Sequence, residues 1–383
     1  MLRMLSTIAF GATAGALLVG GVLAQQADPN ARLDSERGVQ LLAQVQRSSP
    51  VIARTGPDGS LPDRDTLNNG TVTIITAPVG GAFAAMGSDM ANVLDDGENL
   101  RVLPIIGKGS VQNLIDIMRL RNVDMGFVVA DAVEFVKTEY HVPNMEGRVR
   151  YIAKLFNNDL HIVARKDIKS IRDLAGRKIF SERNLGYFTL RNVFNRLHLT
   201  ADIDFRTDDA GGLQRMLAGE ADAWIVSAGK VAPIIRNIKN EGGEFHLVPV
   251  PYEASLEDIY IPSSLTSEEY PNLVAPGEKI ETVASSTILM VYNWPEGSER
   301  YTRVARFVDG LFSKIEEFRR PPRHLKWRET SLSAKIPGLV RFKAADDWLA
   351  AHAVQSQAAG TMLSPNAKDK LFDDFMRWQR STR

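Results

Sequence analysis

A strand-then-helix pattern recurs three times between Thr71 and Tyr140, and it constrains the fold more than any other feature of the chain. The strand signals are TVTIIT, RVLPII and DMGFVV, which are β-branched or continuously apolar. Helical periodicity follows each of them after the loops PVGGAF, GKGSVQN and VADAV. Alternating strands and helices predict βαβ units, and continuous apolar strands predict a parallel sheet that is covered on both faces.

A second series of strands and helices occupies residues 153–250, where RKIF, GYFTLRNVF and DAWIVS carry the pattern. After residue 280, IETVASSTILMVYN indicates a long strand and SERYTRVARFVDGLF an amphipathic helix. We therefore predict an α/β fold with two lobes and a hinge formed by two crossovers of the chain. Lobe one is residues 71–152 plus 251–318, and lobe two is residues 153–250. The length of 383 residues suits two such lobes.

The two ends of the chain differ from the lobes. Residues 1–24 combine Arg3 with an uncharged run rich in Gly and Ala and a small-residue site after Ala24, which is typical of a cleaved signal peptide. An uncleaved membrane anchor is the alternative. Residues 25–70 predict a helix followed by a turn-rich linker, and residues 319–383 predict a helical C-terminal extension. The chain has no cysteine, which excludes disulfides and lipid attachment, so we expect a soluble periplasmic protein.

Charge and motifs exclude several classes of function. The chain carries 46 basic and 46 acidic residues, which gives no electrostatic case for binding nucleic acid. The loop GKGS lacks the spacing of a P-loop, no serine lies in G-x-S-x-G, and the six histidines are scattered. The aspartates of DIDFRTDD alternate along a predicted edge strand, which favours a solvated face over a metal site. We expect no cofactor, no metal and no enzymatic activity.

The loops that follow the strands of lobe one are the first candidates for a ligand site. Ligands of open parallel sheets bind beyond the carboxyl ends of the strands, where helix N-termini offer free N–H groups to an anion. The candidates here are Gly80, Gly81, Lys108, Gly109 and Ser110. Lys108 adds a positive charge or is a solvated loop lysine, and Ser110 binds the ligand or caps the next helix. The glycines allow close backbone approach or simply form the turns.

The corresponding loop of lobe two is SERNLGYFT, with Ser181, Arg183, Asn184 and Tyr187 as candidates that face the cleft. Arg183 has the geometry to clamp a carboxylate, and an exposed loop arginine is the alternative. Trp224 lies in the strand DAWIVS, as a core residue or as a hydrophobic wall of the pocket.

Three motifs between Thr71 and Asp131 resemble those of the TAXI family, the extracytoplasmic solute receptors of TRAP transporters. The matching residues are Gly80, Gly81, Phe83 and Gly87 in the first motif, Gly107, Gly109, Ser110, Asn113 and Leu114 in the second, and Val123, Asp124 and Asp131 in the third. On this resemblance Phe83 and Asp131 join the candidate ligand-binding residues. Phe83 stands where the family usually has Tyr, and Lys108 stands where it usually has Gly.

The resemblance implies a type II periplasmic-binding-protein fold and the capture of a small organic anion, such as a carboxylate or an acidic amino acid. It also implies that the ligand is handed to the membrane permease of a TRAP transporter. A binding protein of an ABC importer and a periplasmic sensor for a membrane signalling protein are the alternatives. Lys108 and Arg183 favour a dianion or an acidic amino acid, and Phe83 favours an apolar wall.

Overall fold

The computed structural model describes residues 64–97, 99–181, 186–205 and 209–361. The predicted signal peptide and N-terminal helix lie outside the described residues, as do Arg183 and Asn184.

The strands of the described residues are β1 Thr71–Ile75, β2 Arg101–Ile105, β3 Met125–Val129, β4 Val149–Arg165, β5 Lys178–Ser181, β6 Asp202–Asp204, β7 Ala223–Ala228, β8 Phe245–Leu247, β9 Ile261–Thr266 and β10 Lys279–Tyr292. The helices are α1 Arg64–Gly70, α2 Ala82–Leu94, α3 Ser110–Arg119, α4 Asp131–Glu139, α5 Met145–Arg148, α6 Tyr187–Arg196, α7 Asp209–Leu217, α8 Pro233–Arg236, α9 Glu299–Ser313, α10 Ile315–Phe318 and α11 Lys343–Thr361. Short 3-10 turns occupy Ile171–Leu174, Ala254–Leu256 and Leu325–Glu329.

The strands join one mixed sheet in which two parallel triplets each lie beside an antiparallel strand. The order is β2-β1-β3-β10-β4-β7-β5-β6, with β8 beside β4 and β9 beside β10. In one half, β1 pairs in parallel with β2 and β3, and β10 runs antiparallel to β3. In the other half, β5 pairs in parallel with β6 and β7, and β4 runs antiparallel to β7. The same topology thus occurs twice, once in each lobe.

The long strands β4 and β10 carry the chain between the lobes. β10 pairs with β9 from Lys279 to Ala284 and with β3 from Thr287 to Val291. β4 pairs with β10 up to Asp159 and with β7 from Asp159 onward. Because Asp159 and Ala284 are register partners, the two crossings lie side by side. The prediction of an α/β, two-lobed type II periplasmic-binding-protein fold with a double-crossover hinge is confirmed.

Burial along the strands follows their place in the sheet. β3, with the sequence MGFVV, is buried at every residue because it lies between β1 and β10. β2 forms the edge of lobe one, and only Val102 of its five residues is buried. An edge strand also tolerates Pro104, since the missing N–H faces no partner strand.

The hydrophobic cores indicate where each lobe ends. The lobe-one core includes Met86, Phe127 and Phe307. Two further clusters pack on the sheet of lobe two, and they include Leu256, Tyr260 and Tyr270 from the segment that precedes β10. The domain boundaries stay a prediction, and on this packing we propose that the second crossing lies near Ala284 and not at residue 251.

The described part of the predicted C-terminal extension is only partly helical. α11 is a helix, but residues 319–342, which we call the C-terminal strap, run back along β4 with one 3-10 turn. Isolated bridges join Tyr151 to Arg341 and Lys154 to Ser331. The strap therefore covers a stretch of β4 that would otherwise be an open sheet edge.

Candidate functional site

Three helices begin where parallel strands end, and no side chain in the described residues caps their N-termini. α2 follows β1, α3 follows β2 and α6 follows β5, with Gly81, Gly109 and Gly186 at the N-cap positions. A glycine N-cap has no side chain to accept from the first N–H groups. By contrast, α9 is capped by the Ser298 side chain, which accepts from the Tyr301 N–H at 3.2 Å. The uncapped ends thus come from both lobes, and a helix N-terminus without a side-chain cap has a positive potential that suits an anion.

The loop before α3 is held by the first turn of that helix, which two side chains fix to the sheet. Asn113 Nδ2 donates to the carbonyl oxygens of Thr76 at 2.6 Å and Phe127 at 2.9 Å. The Ser110 hydroxyl accepts from the Val129 N–H at 3.1 Å, so it binds β3 and does not cap α3. Gly109 has φ +100°, a conformation that side chains rarely adopt. The loop is therefore preorganised before any ligand arrives.

Gly80 and Gly81 lie exposed in the loop before α2, where Gly80 has φ +102°. Phe83, the second residue of α2, is buried in the lobe-one core. Its ring stacks on Phe127 at 5.1 Å between centroids and meets the edge of Phe156 at 6.0 Å. The predicted contact of Phe83 with a ligand stays a prediction, and its packing here is that of a core residue.

Lys108, next to Gly109 in the chain, is exposed on the rim of a groove of about 600 Å³. Other groups that line this groove are Gln112 and Asp116 of α3 and the exposed apolar side chains of Ile106 and Leu120. The groove runs beside the edge strand β2. Of the two readings of Lys108, the solvated loop lysine fits this position.

Asp131 lies fully buried at the start of α4, where the two lobes meet. Its Oδ2 accepts from the Tyr260 hydroxyl at 3.1 Å, and its N–H donates to Ser285 Oγ at 3.2 Å. Its carbonyl oxygen accepts from Asn192 Nδ2 at 2.7 Å. Asn192 lies on α6 and Tyr260 in a lobe-two core cluster, so Asp131 joins lobe one to lobe two.

Burial raises the pKa of Asp131 from 3.8 to about 6, because the charged carboxylate loses its hydration. Hydrogen bonds from Thr189, Tyr260 and Ser285 act in the opposite direction and limit the rise of the pKa. Within the described residues, Asp131 Oδ1 and Thr189 Oγ1 are nevertheless both buried without a partner in full hydrogen-bond geometry.

Side chains around this network extend the contact between α4 and α6. The ring of Phe135 lies 5.8 Å from Tyr187, a predicted site residue, and 6.4 Å from Phe188. At the surface, Arg191 pairs with Glu139 at 3.4 Å. The predicted residue Tyr187 is thus half-buried against lobe one in the arrangement described.

The remaining lobe-two candidates are part of its sheet. The Ser181 hydroxyl donates to the Ile225 carbonyl oxygen at 3.2 Å, at the carboxyl ends of β5 and β7. Trp224 is 1% exposed and packs in a lobe-two core cluster, where its Nε1 has no hydrogen-bond partner among the described residues. This position matches the core alternative for Trp224.

Two lysines that the sequence reasoning did not select lie at the end of β7. Lys230 Nζ donates to the Ser264 carbonyl oxygen at 2.7 Å and lies 3.6 Å from Glu269 Oε1. Lys326, from the C-terminal strap, donates to the Lys230 carbonyl oxygen at 2.7 Å and lies 5.7 Å from the Phe156 ring centroid. The GK dipeptide after DAWIVS was a visible signal for Lys230, but no local pattern indicated Lys326.

In the described part of the chain, no group of three or more His, Cys, Asp or Glu side chains is arranged to hold a metal ion. None of the helices described there combines the length and hydropathy of a membrane span.

The two lobes and the double-crossover hinge define a protein with the type II periplasmic-binding-protein fold. More specifically, a model of the NMT1-like family matches residues 74–299, which is more than half of the chain, and the protein belongs to this family. A search of curated proteins finds no match.

Solved structures with distant similarity include binding proteins and a sensor domain. The P235GK mutant of ArgBP from T. maritima has 10% identity and a TM-score of 0.40, over 67% of this chain and 93% of that one. A putative periplasmic sulfonate-binding protein, SsuA from Methylobacillus flagellatus KT, has 13% identity and a TM-score of 0.39, over 67% and 73%. A histidine kinase sensor domain has 15% identity and a TM-score of 0.39, over 71% and 97%. At this similarity, what those proteins bind does not transfer to this chain.

Proposed function

We propose that the protein is a periplasmic solute receptor that captures a small organic anion between its lobes and delivers it to a TRAP-type membrane permease. The observation that supports an anionic ligand is that α2, α3 and α6 have uncapped N-termini. These helices begin at the carboxyl ends of parallel strands in both lobes. Each such end is equivalent to roughly half a positive charge and offers free N–H donors.

The side-chain charges near the end of β7 are balanced. Lys230 lies 3.6 Å from Glu269 and Lys326 lies 2.5 Å from Glu329, so the case for an anion rests on the helix N-termini. α4 is different, because Asp131 places a carboxyl group in its first turn.

The transport role rests on the predicted signal peptide, on the TAXI-like motifs and on the hinge. Two lobes joined by two adjacent crossing strands can rotate about them, and a ligand that contacts both lobes favours the closed state. Deletion of the gene is expected to abolish uptake of the ligand by intact cells. Loss of a signalling response with uptake intact would reject the transport role.

Gly81 allows a direct test of whether the anionic group of the ligand binds at the N-terminus of α2. It has an ordinary φ of −95°, and an added Cβ would meet only the Pro78 oxygen, at 3.8 Å. Gly81→Asp would place a permanent carboxylate on the α2 N-terminus, and Gly81→Asn would add a neutral cap of the same shape. Both variants are expected to hold or raise the melting temperature without ligand, because both cap the helix.

The two variants separate charge from shape. Binding of L-glutamate, succinate and related carboxylates is measured by calorimetry for the parent and both variants. The compound that binds the parent best is expected to lose roughly tenfold more affinity in Gly81→Asp than in Gly81→Asn, since like charges repel at this site. Equal losses in the two variants would show that the α2 terminus does not bind the anionic group.

A further inference from the structure

The C-terminal strap is anchored firmly to lobe one. Trp327 is fully buried in the lobe-one core, and its ring lies 4.4 Å from that of Phe318. Asp89 Oδ2 on α2 accepts from Trp327 Nε1 at 2.9 Å and from the His324 N–H at 2.8 Å. This end of the strap therefore moves with α2.

The other end of the strap is bound to β4. The Ser331 N–H donates to the Lys154 carbonyl oxygen at 3.0 Å, and the Phe342 N–H donates to the Tyr151 carbonyl oxygen at 2.8 Å. The Arg341 guanidinium is buried and donates to the carbonyl oxygens of Ala334 at 2.8 Å and Ser333 at 3.0 Å. The strap is thus fixed to lobe one at both of its ends.

One side chain of the strap reaches across to lobe two. Lys326 Nζ donates to the carbonyl oxygen of Lys230, which follows β7 of lobe two. Gly229 leaves room for this lysine, because a Cβ at Gly229 would lie 2.8 Å from Lys326 Cε. Within the strap, Glu329 pairs with Lys326 at 2.5 Å, and it accepts from the Asn157 N–H of β4 at 3.2 Å.

These contacts have a consequence for rotation about the crossing strands. Gly229 and Lys230 move with lobe two, whereas Lys326 moves with lobe one through Trp327. Rotation of one lobe against the other displaces the Lys230 carbonyl oxygen from Lys326 Nζ, which strains the 2.7 Å hydrogen bond between them. The Lys326 side chain is only 14% exposed, so water competes poorly for its ammonium group.

We propose that the C-terminal strap is a built-in clasp that favours the closed arrangement of the lobes before ligand binds, with Lys326 as the side chain that fastens it. The proposal rests on the hinge and on these contacts, and it does not require the ligand to be an anion. A clasp of this kind sets ligand affinity through the population of the closed state.

The experiment measures the distance between the lobes in the ligand-free protein. The chain has no cysteine, so Glu299→Cys in lobe one and Lys239→Cys in lobe two provide a single pair for spin labels on exposed positions. Double electron–electron resonance then gives the distance distribution. Lys326→Met, in this labelled background, removes the ammonium group and keeps the length of the side chain.

Lys326→Met is expected to lower the ratio of closed to open protein by roughly tenfold, the usual effect of losing a charge-assisted hydrogen bond. Lys326→Arg keeps a donor and is expected to retain most of the closed population. Lys335→Met changes an exposed lysine of the same strap and is expected to leave the distribution unchanged.

Gly229→Ala provides a second test that leaves Lys326 in place. Its added methyl group displaces the flexible end of Lys326 and is expected to shift the distribution in the same direction as Lys326→Met. Circular dichroism and the unfolding midpoint establish that each variant is folded. A distance distribution that is identical in the parent, Lys326→Met and Gly229→Ala would overturn the proposal.

Discussion

Asp131→Asn is the substitution with the most sharply defined consequence for stability. The buried carboxyl has its pKa raised from 3.8 to about 6 in the folded protein, chiefly by desolvation. Between these two values the native state binds the proton more strongly than the unfolded state does. Stability from this residue is therefore highest at low pH and falls as pH rises through about 6.

The size of the effect follows from the shift. About two pKa units at 1.36 kcal/mol each correspond to about 3 kcal/mol, most of it lost between about pH 4 and pH 7. In Asp131→Asn the side chain cannot ionise, and its amide can donate toward Thr189 Oγ1 while its oxygen accepts from the Tyr260 hydroxyl. We expect the variant to lack this loss of stability with rising pH and to be more stable than the parent at pH 7.

Urea unfolding followed by tryptophan fluorescence at a series of pH values measures the effect. The free energy of unfolding of the parent minus that of Asp131→Asn is expected to fall by about 2 kcal/mol from pH 4 to pH 7, which is most of the total of about 3 kcal/mol. His161 works in the opposite direction, because burial lowers its pKa from 6.5 to about 3 and its contribution is lost as pH falls below 6.5. His161 is present in both proteins, so its effect cancels in the difference. A difference that stays constant over this pH range would refute the account of Asp131.

Three substitutions test the packing around the site and the strap. Trp327→Ala is expected to lower the free energy of unfolding by about 3–5 kcal/mol, because it leaves a large cavity in the lobe-one core; a loss below 1 kcal/mol in urea titrations would show that the strap is not anchored there. Gly126→Ala is expected to lower the unfolding midpoint, since its Cβ would lie 2.3 Å from Ile75 Cγ2 and 2.7 Å from the Ile75 oxygen; an unchanged midpoint in a thermal melt contradicts this contact. Asn113→Ala leaves two buried carbonyl oxygens without their side-chain donor and is expected to lower the free energy of unfolding by about 2 kcal/mol. An unchanged free energy of unfolding in the same titration would mean that the loop before α3 is not fixed to the sheet in this way.

The regular part of the fold was predictable because its signals are local. The runs TVTIIT, RVLPII and DMGFVV predicted β1, β2 and β3, and IETVASSTILMVYN predicted the crossing strand β10. Apolar periodicity and turn residues act over a few residues, so one sequence is enough to read them.

The contacts between the lobes were not predictable in the same way. Tyr260 bonds to Asp131 across 129 positions, and Lys326 bonds to Lys230 across 96. No periodicity specifies such a pair, because it depends on how two separately formed lobes come together. Two of the predicted site residues, Phe83 and Trp224, are buried by packing inside their own lobes. The sequence showed that these rings were apolar but not which surface they would face.

The central claim, that the lobes capture a small organic anion, is tested most directly by thermal shift with matched pairs of compounds. Each carboxylate is compared with an uncharged analogue of nearly the same shape, for example L-glutamate with L-glutamine and succinate with succinamide. The account predicts that at least one carboxylate raises the melting temperature with a saturable dose response while its uncharged analogue does not. Stabilisation by sugars or cations alone, or equal stabilisation by both members of every pair, would contradict it.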